Sequence, residues 1–596
     1  MAVSAAAKHR GGEWALQSPP AAEVFTPEDL SDFQKDVAKT VRDFVQGEVV
    51  PVIPAMEHHD FSHHVRLMRQ AAALGLAGVL IPERLGGLGL DEVTGAVVTE
   101  AFGGGGGFSI TFGAHTGIGT MPILFFGTRA QQEQYLPLLV KAERLAAYCL
   151  TEAGSGSDAL AAKATARLSA DGRHWILNGT KQWITNGGIA DLFIVYAKVD
   201  GEQFSAFIIE RGAPGLSTGK EEDKMGLRGS STCSVILEDC TIPVENLLHE
   251  VGKGHQVAFN TLNIGRFNLG IGTLGAAKQA MALATRWAQQ RHQFGKALAE
   301  FRLIQQKLAE MAVRIYAAES AGYRTAALLD EGLAGIDHDD APDARGGPSS
   351  RRAASAAAIR DYVVECSIMK VLGSEVLDYV VDEAVQIHGG YGFMEAFDVC
   401  RAYRDSRINR IFEGTNEINR MLLCGDLLKK GQAGDLPLLV VMRSLQDELL
   451  GLTPPLFDGA TPLAQEKWLV EAARKIALMV AGLGLQKYQE AVEQEQEFLA
   501  GVADLLIDLY AMDSALLRAE KHPSEARADL AMAFAHDAFS RIEGTARTLL
   551  ASLDEGDALR TQLAILRKLT RRDPIDSIRL KRRIARRLLE AGGYAA

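Results

Sequence analysis

Long apolar runs are missing from this chain: its 596 residues hold no uninterrupted apolar stretch of about 18, so no segment reads as a membrane-spanning helix. Cysteine is scarce. Cys149, Cys233, Cys240, Cys366, Cys400 and Cys424 form no CxxC pair and no zinc-like spacing. That excludes a zinc or disulfide scaffold and suits free thiols in a reducing compartment, with no metal expected. The N-terminus, MAVSAAAKHRGGEWALQ, lacks the apolar core of a secretory signal. It reads as a disordered leader over 1–26, with a weak transit peptide as the alternative. Positive charge is in deficit, 63 Lys and Arg against 75 Asp and Glu, and the formal −12 argues against bulk binding to nucleic acid. The expected location is cytoplasmic, or a matrix-like compartment.

With 47% hydrophobic and 23% charged residues the chain can bury several cores. Over 27–145 the texture is helical. Leu30, Phe33, Val37, Val41, Phe44 and Val45 recur at three- and four-residue spacing and predict one apolar face, ended by Pro51. Over 146–253 it turns to strands: DLFIVYAKV, FSAFIIER and TCSVILEDCTIP are rich in Val, Ile and Phe. In HWILNGTKQWITNG the pair Asn178-Gly179 predicts a hairpin turn. Helices resume over 254–432, interrupted by a Gly-, Asp-, Pro- and Ser-rich stretch at 331–352 that predicts a mobile loop, and an additional helical region covers 433–596. Internal repeats are absent. The fold class is α+β, mostly α, without βαβ alternation.

Gly154-Ser155-Gly156-Ser157-Asp158-Ala159 spells a dinucleotide fingerprint, but a strand must precede that pattern and a helix follow it. Here the chain runs on into strands. A polar turn is one reading. A loop offering hydroxyls and backbone N–H groups to a flat polar ring and a phosphate is another, with Trp183 and Thr185 placed to cover a ring face and edge. Gly103 to Gly107 lies between helical runs without a Lys or Ser/Thr partner and reads as a flexible connector.

Five strings carry a resemblance: YCLTEAGSGSDA (148–159), KQWITNGG (181–188), RHQFGK (291–296), QIHGGYGF (386–393) and RIFEGTNEINR (410–420). In this order and spacing the chain resembles the acyl-CoA dehydrogenase family over 27–432. Beyond that it looks like the longer members, very-long-chain and bacterial, with an extra C-terminal helical domain. The resemblance implies a helical domain, a β domain and a four-helix bundle, with FAD between the last two. It places Tyr148, Leu150, Thr151, Gly156, Ser157, Trp183, Ile184, Thr185, Thr415 and Asn416 around the flavin. Arg291, Phe294, Gln386, Gly389 and Gly390 would hold the adenosine and pyrophosphate of a partner subunit's FAD, making a homodimer the minimal unit. Ser157, Asn263, Arg266 and Gly414 match substrate-binding positions. Gly389 also reads as the C-cap of the preceding helix.

Glu413 matches the family's catalytic base. Resemblance implies α-proton removal from a fatty acyl-CoA, binding of the thioester oxygen by the Glu413 N–H, and β-hydride transfer to FAD. The product is a trans-2-enoyl-CoA in β-oxidation, and electrons pass on to electron transfer flavoprotein. A helix start favours a carboxylate, whereas burial disfavours it; desolvation is expected to win and raise its basicity once substrate expels water. Some relatives carry the base at the position matched by Gly265, so no rival base is present, and that glycine could deepen the acyl tunnel. An acyl-CoA oxidase and a DNA-binding flavoprotein of the same fold are the alternatives.

From Arg567 to Arg587, ten basic residues face two acidic ones, a net of +8, beside a thin apolar stripe of Ile578, Ala585, Leu588 and Leu589. A solvated helix packed on the acidic body is expected, peripheral membrane contact comes next, and nucleic acid last.

Overall fold

The computed structural model describes residues 9–334, 350–457 and 461–596. Helix α1 (Asp32–Phe44) opens on a capping box in which Ser31 and Gln34 satisfy each other. Its buried face is Gln34, Ala38, Val41 and Phe44, so Phe33, expected inside, is exposed. The helical path continues past Pro51 as a short 3-10 turn and the helix Ile53–Glu57. Helices α2 (Glu92–Ala101) and α3 (Gly107–Gly113) lead towards the β domain.

That domain holds β1 (Ala146–Cys149), β2 (Thr165–Leu168), β3 (His174–Thr185), β4 (Leu192–Val199), β5 (Gln203–Glu210), β6 (Leu216–Thr218), β7 (Thr232–Pro243) and β8 (Leu247–Leu248). Its strand order is β6-β7-β3-β2-β4-β5-β8, with β1 parallel to β4. The expected hairpin at Asn178-Gly179 is not there. Both residues lie inside the single strand β3, where the register against β7 shifts between Leu177 and Gly179. A Cβ on Gly179 would sit 2.7 Å from the Ala164 Cβ. The glycine therefore serves a bulge and a close strand approach, not a turn.

The bundle consists of α4 (Gly254–Gln290), α5 (Arg302–Leu333), α6 (Val363–His388) and, after the short α7 (Asp398–Ser406), α8 (Asn416–Ala433). Of the loop expected over 331–352, residues 335–349 lie outside the described residues. The additional region folds as helices that include α9 (Ala464–Tyr488), α10 (Gln496–Lys521), α11 (Glu525–Leu553) and α12 (Ser577–Ala591). It packs on α5 through a buried ionic cluster: Arg518 on α10 binds Glu319 at 2.6 Å and Glu28 at 2.8 Å, and Tyr594 donates to Glu319 at 2.6 Å.

Two other expectations need correction. Residues 9–26, part of the segment read as a disordered leader, are packed. Trp14 is 3% exposed, tilts against Tyr510 at 4.7 Å between centroids, and donates Nε1–H to Glu365 at 2.8 Å. Gly11 fits only because it lacks a side chain, since a Cβ would meet the Asp361 carbonyl oxygen at 1.8 Å. Trp14→Ala is expected to cost roughly 3–5 kcal/mol, read as a lower unfolding midpoint by circular dichroism; an unchanged midpoint would show the arm to be dispensable. Gly103 to Gly107 is likewise no loose connector. A Cβ on Gly103 would meet the α4 backbone at Gly275 at 2.2 Å, and one on Gly107 the Gly229 backbone at 2.4 Å. The run is a seam of close backbone packing.

The basic helix α12 buries Leu580, Ile584, Ala585 and Leu588 against the body, leaving Ile578 outside. Of the expected stripe, Ala585 and Leu588 are buried against the body, as in the packed-helix expectation. Among the described residues no helix is long and apolar enough to cross a membrane.

Candidate active site

Glu413 stands just ahead of α8, whose N-cap Thr415 accepts from the Ile418 N–H at 3.3 Å. Its backbone is left-handed, φ 57°, and Gly414 follows at φ 80°. Such a conformation is costly for a residue with a Cβ and persists only where surroundings enforce it. Here the enforcement is explicit. Arg266 Nε donates to the Glu413 carbonyl at 3.1 Å, and Asn419 Nδ2 donates to the Gly414 and Thr415 carbonyls at 2.9 and 3.0 Å. The Glu413 N–H has no acceptor among the described residues.

The carboxyl end is equally particular. Glu413 as a residue is part-exposed, yet its Oε2 is buried and without a hydrogen-bond partner. Burial pushes the carboxyl up to about 7, against the opposing pull of Arg266 and Lys370. At this carboxyl, desolvation outweighs the two neighbouring cations. A Cβ on Gly265 would come within 2.9 Å of that oxygen, so positions 265 and 413 address one point in space. Gly265 leaves room for the Glu413 carboxylate as well as lining the cavity beyond it.

That cavity has a volume of about 380 Å³. It follows one face of α4 through Gly265, Leu269, Gly272, Ala276, Ala280 and Leu283. Eighteen residues of helix separate its ends, about 27 Å at 1.5 Å per residue. Glycines create the space: Gly113, Gly117, Gly104 and Gly272 line it, and a Cβ at any of them would meet nothing nearer than 3.6 Å.

At the head of the cavity Thr185 faces the same space as Glu413. Between Lys181 and Ile184 the β3–β7 register shifts a second time. Trp183 sits in this bulge at φ 57° and is 59% exposed, while Ile184 is buried. A bulge that turns a large indole outward is a device for aiming it at something flat. The Gly156 loop hangs beside it. Gln182 N–H donates to the Thr151 carbonyl at 2.9 Å, Ser157 is exposed, and a Cβ on Gly156 would touch nothing. A single 3-10 turn, Ala159–Ala161, follows this loop, so the fingerprint is a decoy. Tyr148 and Leu150 are buried; the tyrosine hydroxyl points inward to the Ala258 carbonyl at 3.4 Å. The uncovered indole, the open loop and the hydroxyl at Thr185 fit the isoalloxazine and ribityl-phosphate arm of FAD.

Two sets of expected residues are placed differently from the rest. Asn263 and Arg266 are buried and bonded to each other at 2.8 Å, and Arg266 holds the Glu413 backbone. Arg266 Nε and Nη1 and Asn263 Oδ1 are used in these bonds, so the pair fixes the Glu413 backbone from one side. Asn416 likewise uses its amide on Lys370, Ser374 and Glu375. The second set, Arg291, Phe294, Gln386, Gly389 and Gly390, lies at the far ends of α4 and α6, outside the cavity lining. Arg291 rests on the Tyr391 ring at 5.3 Å, Phe294 is 92% exposed, and Gly389 caps α6 at φ 61°. From Gly265 to Arg291 is 26 helical residues, about 39 Å.

Two lysines escaped the reading of the sequence. Lys181, 0% exposed, bonds Glu152 at 2.6 Å and the Leu150 carbonyl at 3.1 Å; Glu152 in turn accepts from the Lys163 and Ala164 N–H groups, closing the Gly156 loop. Lys370, also 0% exposed, bonds Asn416 at 2.7 Å and has no carboxylate in ion-pair contact among the described residues. Burial lowers it to about 8, while Glu413 pulls the other way. A lysine inside the apolar run IMKVL of α6 is the only sequence signal of it.

An unpartnered buried carboxyl oxygen and the Thr185 hydroxyl on one cavity, with a bulge-held indole on the same strand as Thr185, suit a flavin-dependent oxidoreductase. Four family models match the chain: acyl-CoA dehydrogenase N-terminal domain (31–143), middle domain (147–240) and two descriptions of the C-terminal domain (252–342 with 349–428, and 472–568). It is 49% identical to a probable acyl-CoA dehydrogenase of Bacillus subtilis (strain 168) across 100% of both chains. It is 38% identical to the very long-chain specific acyl-CoA dehydrogenase, mitochondrial, of Rattus norvegicus, over 76% of this chain and 69% of that one. The crystal structure of an acyl-CoA dehydrogenase complexed with FAD from Bacillus anthracis superposes with a TM-score of 0.95 at 50% identity, covering 99% of this chain and 100% of that one. The chain belongs to the acyl-CoA dehydrogenase family, and it is an FAD-dependent dehydrogenase.

Proposed function

We propose that this dehydrogenase oxidises long-chain fatty acyl-CoA thioesters to trans-2-enoyl-CoA, with Glu413 as the α-proton base. The observation that carries the reading is the Glu413 Oε2, buried and unpartnered, beside a mostly apolar cavity that borders about 27 Å of α4. An extended acyl chain of about twenty carbons has that length. The free Glu413 N–H is a donor for the thioester carbonyl oxygen, where negative charge grows as the α-proton leaves. Bound FAD supplies the acceptor for the β-hydride. Trp183 and Thr185 would hold the flavin face and edge, and the apolar part of the lining would exclude water from the carboxylate. Electron transfer flavoprotein is the proposed electron acceptor.

The separation of Arg291 and Gln386 to Gly390 from the Glu413 end supports a homodimer in which each chain holds the adenosine half of its partner's cofactor. Anaerobic bleaching of the flavin by acyl-CoAs of graded length tests the reading. Bleaching by sixteen-carbon and longer thioesters supports it; bleaching only by four- to six-carbon ones overturns the chain-length part.

The ionisation of Glu413 gives a pH test. A base with a carboxyl at about 7 is active when deprotonated, so flavin reduction should rise with pH through that value and level off above it. Lys370 favours the carboxylate electrostatically, so Lys370→Met should move this limb to higher pH. Single-turnover reduction rates against pH check both; an unmoved limb would leave Lys370 without influence on the base.

A further inference from the structure

The basic C-terminal helix α12 is not explained by packing alone. Most of its cations have partners: Lys581 binds Glu310 and Asp537, Arg583 binds Asp529, and Arg587 binds Glu525 and Asp529. Arg582 and Arg586 have no ion pair among the described residues. One turn apart, they repel each other, and both face a cavity of about 430 Å³ shared with Arg302, Gln305 and Glu590. Arg302 bonds only Gln305, at 2.8 Å, and stands in the first turn of the 32-residue helix α5, where backbone N–H groups lack helical acceptors. Glu590 is the one acid in this lining.

The pocket borders the segment that carries Arg291 and Phe294. Gln289 Nε2 donates to the Leu589 carbonyl of α12 at 2.7 Å, and the Phe294 ring lies 6.2 Å from that of Phe301, the residue before Arg302. We propose that Arg302, Arg582 and Arg586 extend the dinucleotide-binding surface, so that the additional C-terminal domain contributes phosphate donors to FAD. This rests on the reading of Arg291 as a holder of the partner's adenosine and pyrophosphate. Guanidinium forks suit phosphate oxygens, and exposed arginines left unneutralised in a chain of net −12 are placed for an anion.

The test is FAD affinity of the full chain after cofactor removal, followed by flavin fluorescence at low and moderate salt. For R582Q/R586Q we expect the Kd to rise 10- to 100-fold with a flatter salt dependence, and R582K/R586K to recover part of the loss. Circular dichroism and oligomeric mass should match the unsubstituted protein. A Kd within twofold of the unsubstituted protein, or a Lys variant as weak as the Gln variant, overturns the proposal. R291Q separates the two failures. If R291Q weakens FAD and the double variant does not, only the role of α12 falls; if neither weakens it, the reading of Arg291 falls as well.

Discussion

Glu413→Gln is expected to keep FAD and lose the chemistry, with flavin reduction by a long-chain acyl-CoA slowed by about 10²–10⁴-fold, the range a positioned general base contributes. Glutamine has the same shape, and the features that fix residue 413 act on its backbone: Arg266 on its carbonyl and Asn419 on the two carbonyls that follow. The left-handed turn should therefore survive. The Oε2 has no hydrogen-bond partner to lose, so no donor on a neighbouring residue is orphaned by the change. A stable yellow protein that no longer bleaches anaerobically is the predicted result. Bleaching at an undiminished rate would move the base elsewhere.

The second large effect concerns the cavity. Gly272 lies seven residues beyond Gly265 on α4, about 10 Å further from the base. A Cβ there would touch the Thr99 Cγ2 at an ordinary 3.6 Å and the rest of a larger side chain would enter the cavity. Gly272→Leu should fold, because leucine favours a helix over glycine. It should block the distal part of the cavity and spare the proximal part. Each methylene kept from burial forfeits about 0.8 kcal/mol. Excluding about eight methylenes of a sixteen-carbon chain then lowers kcat/KM by on the order of 10⁴–10⁵. Thioesters of about eight carbons should react nearly as before, so the length profile steepens rather than shifting uniformly. A uniform fall at all lengths would mean the variant disturbs the flavin or the base.

Much of this arrangement was readable from letters because it is periodic or because it is a motif. The change from helical to alternating texture near Ala146 marks where the β domain begins, and the run RIFEGT places Glu413 ahead of a helix whose N-cap is visible as Thr415. What was not readable depends on contacts between distant parts of the chain. Asn178-Gly179 serves equally as a turn or a bulge, and only the approach of Ala164 decides. The glycines at 103 and 107 signal backbone contact with α4 and with Gly229, partners well over a hundred residues away. Trp14 belongs to no periodic segment, so nothing local announces that Tyr510 and Glu365 receive it. Arg266 and Asn263 were legible as site residues, but their bond to each other and the hold of Arg266 on the Glu413 carbonyl were not. Lys370 lies in an apolar helix where a lysine ordinarily reaches outward; its burial beside Asn416 follows only from the packing of α6 against α8.

The most direct measurement of the central claim is uptake of solvent deuterium at the α-carbon of a long-chain acyl-CoA, with FAD bound and no external electron acceptor. A buried carboxylate that takes the α-proton should exchange it, so deuterium appears at that carbon with the unsubstituted protein and falls at least about 100-fold with Glu413→Gln. Equal incorporation by both proteins would contradict the account.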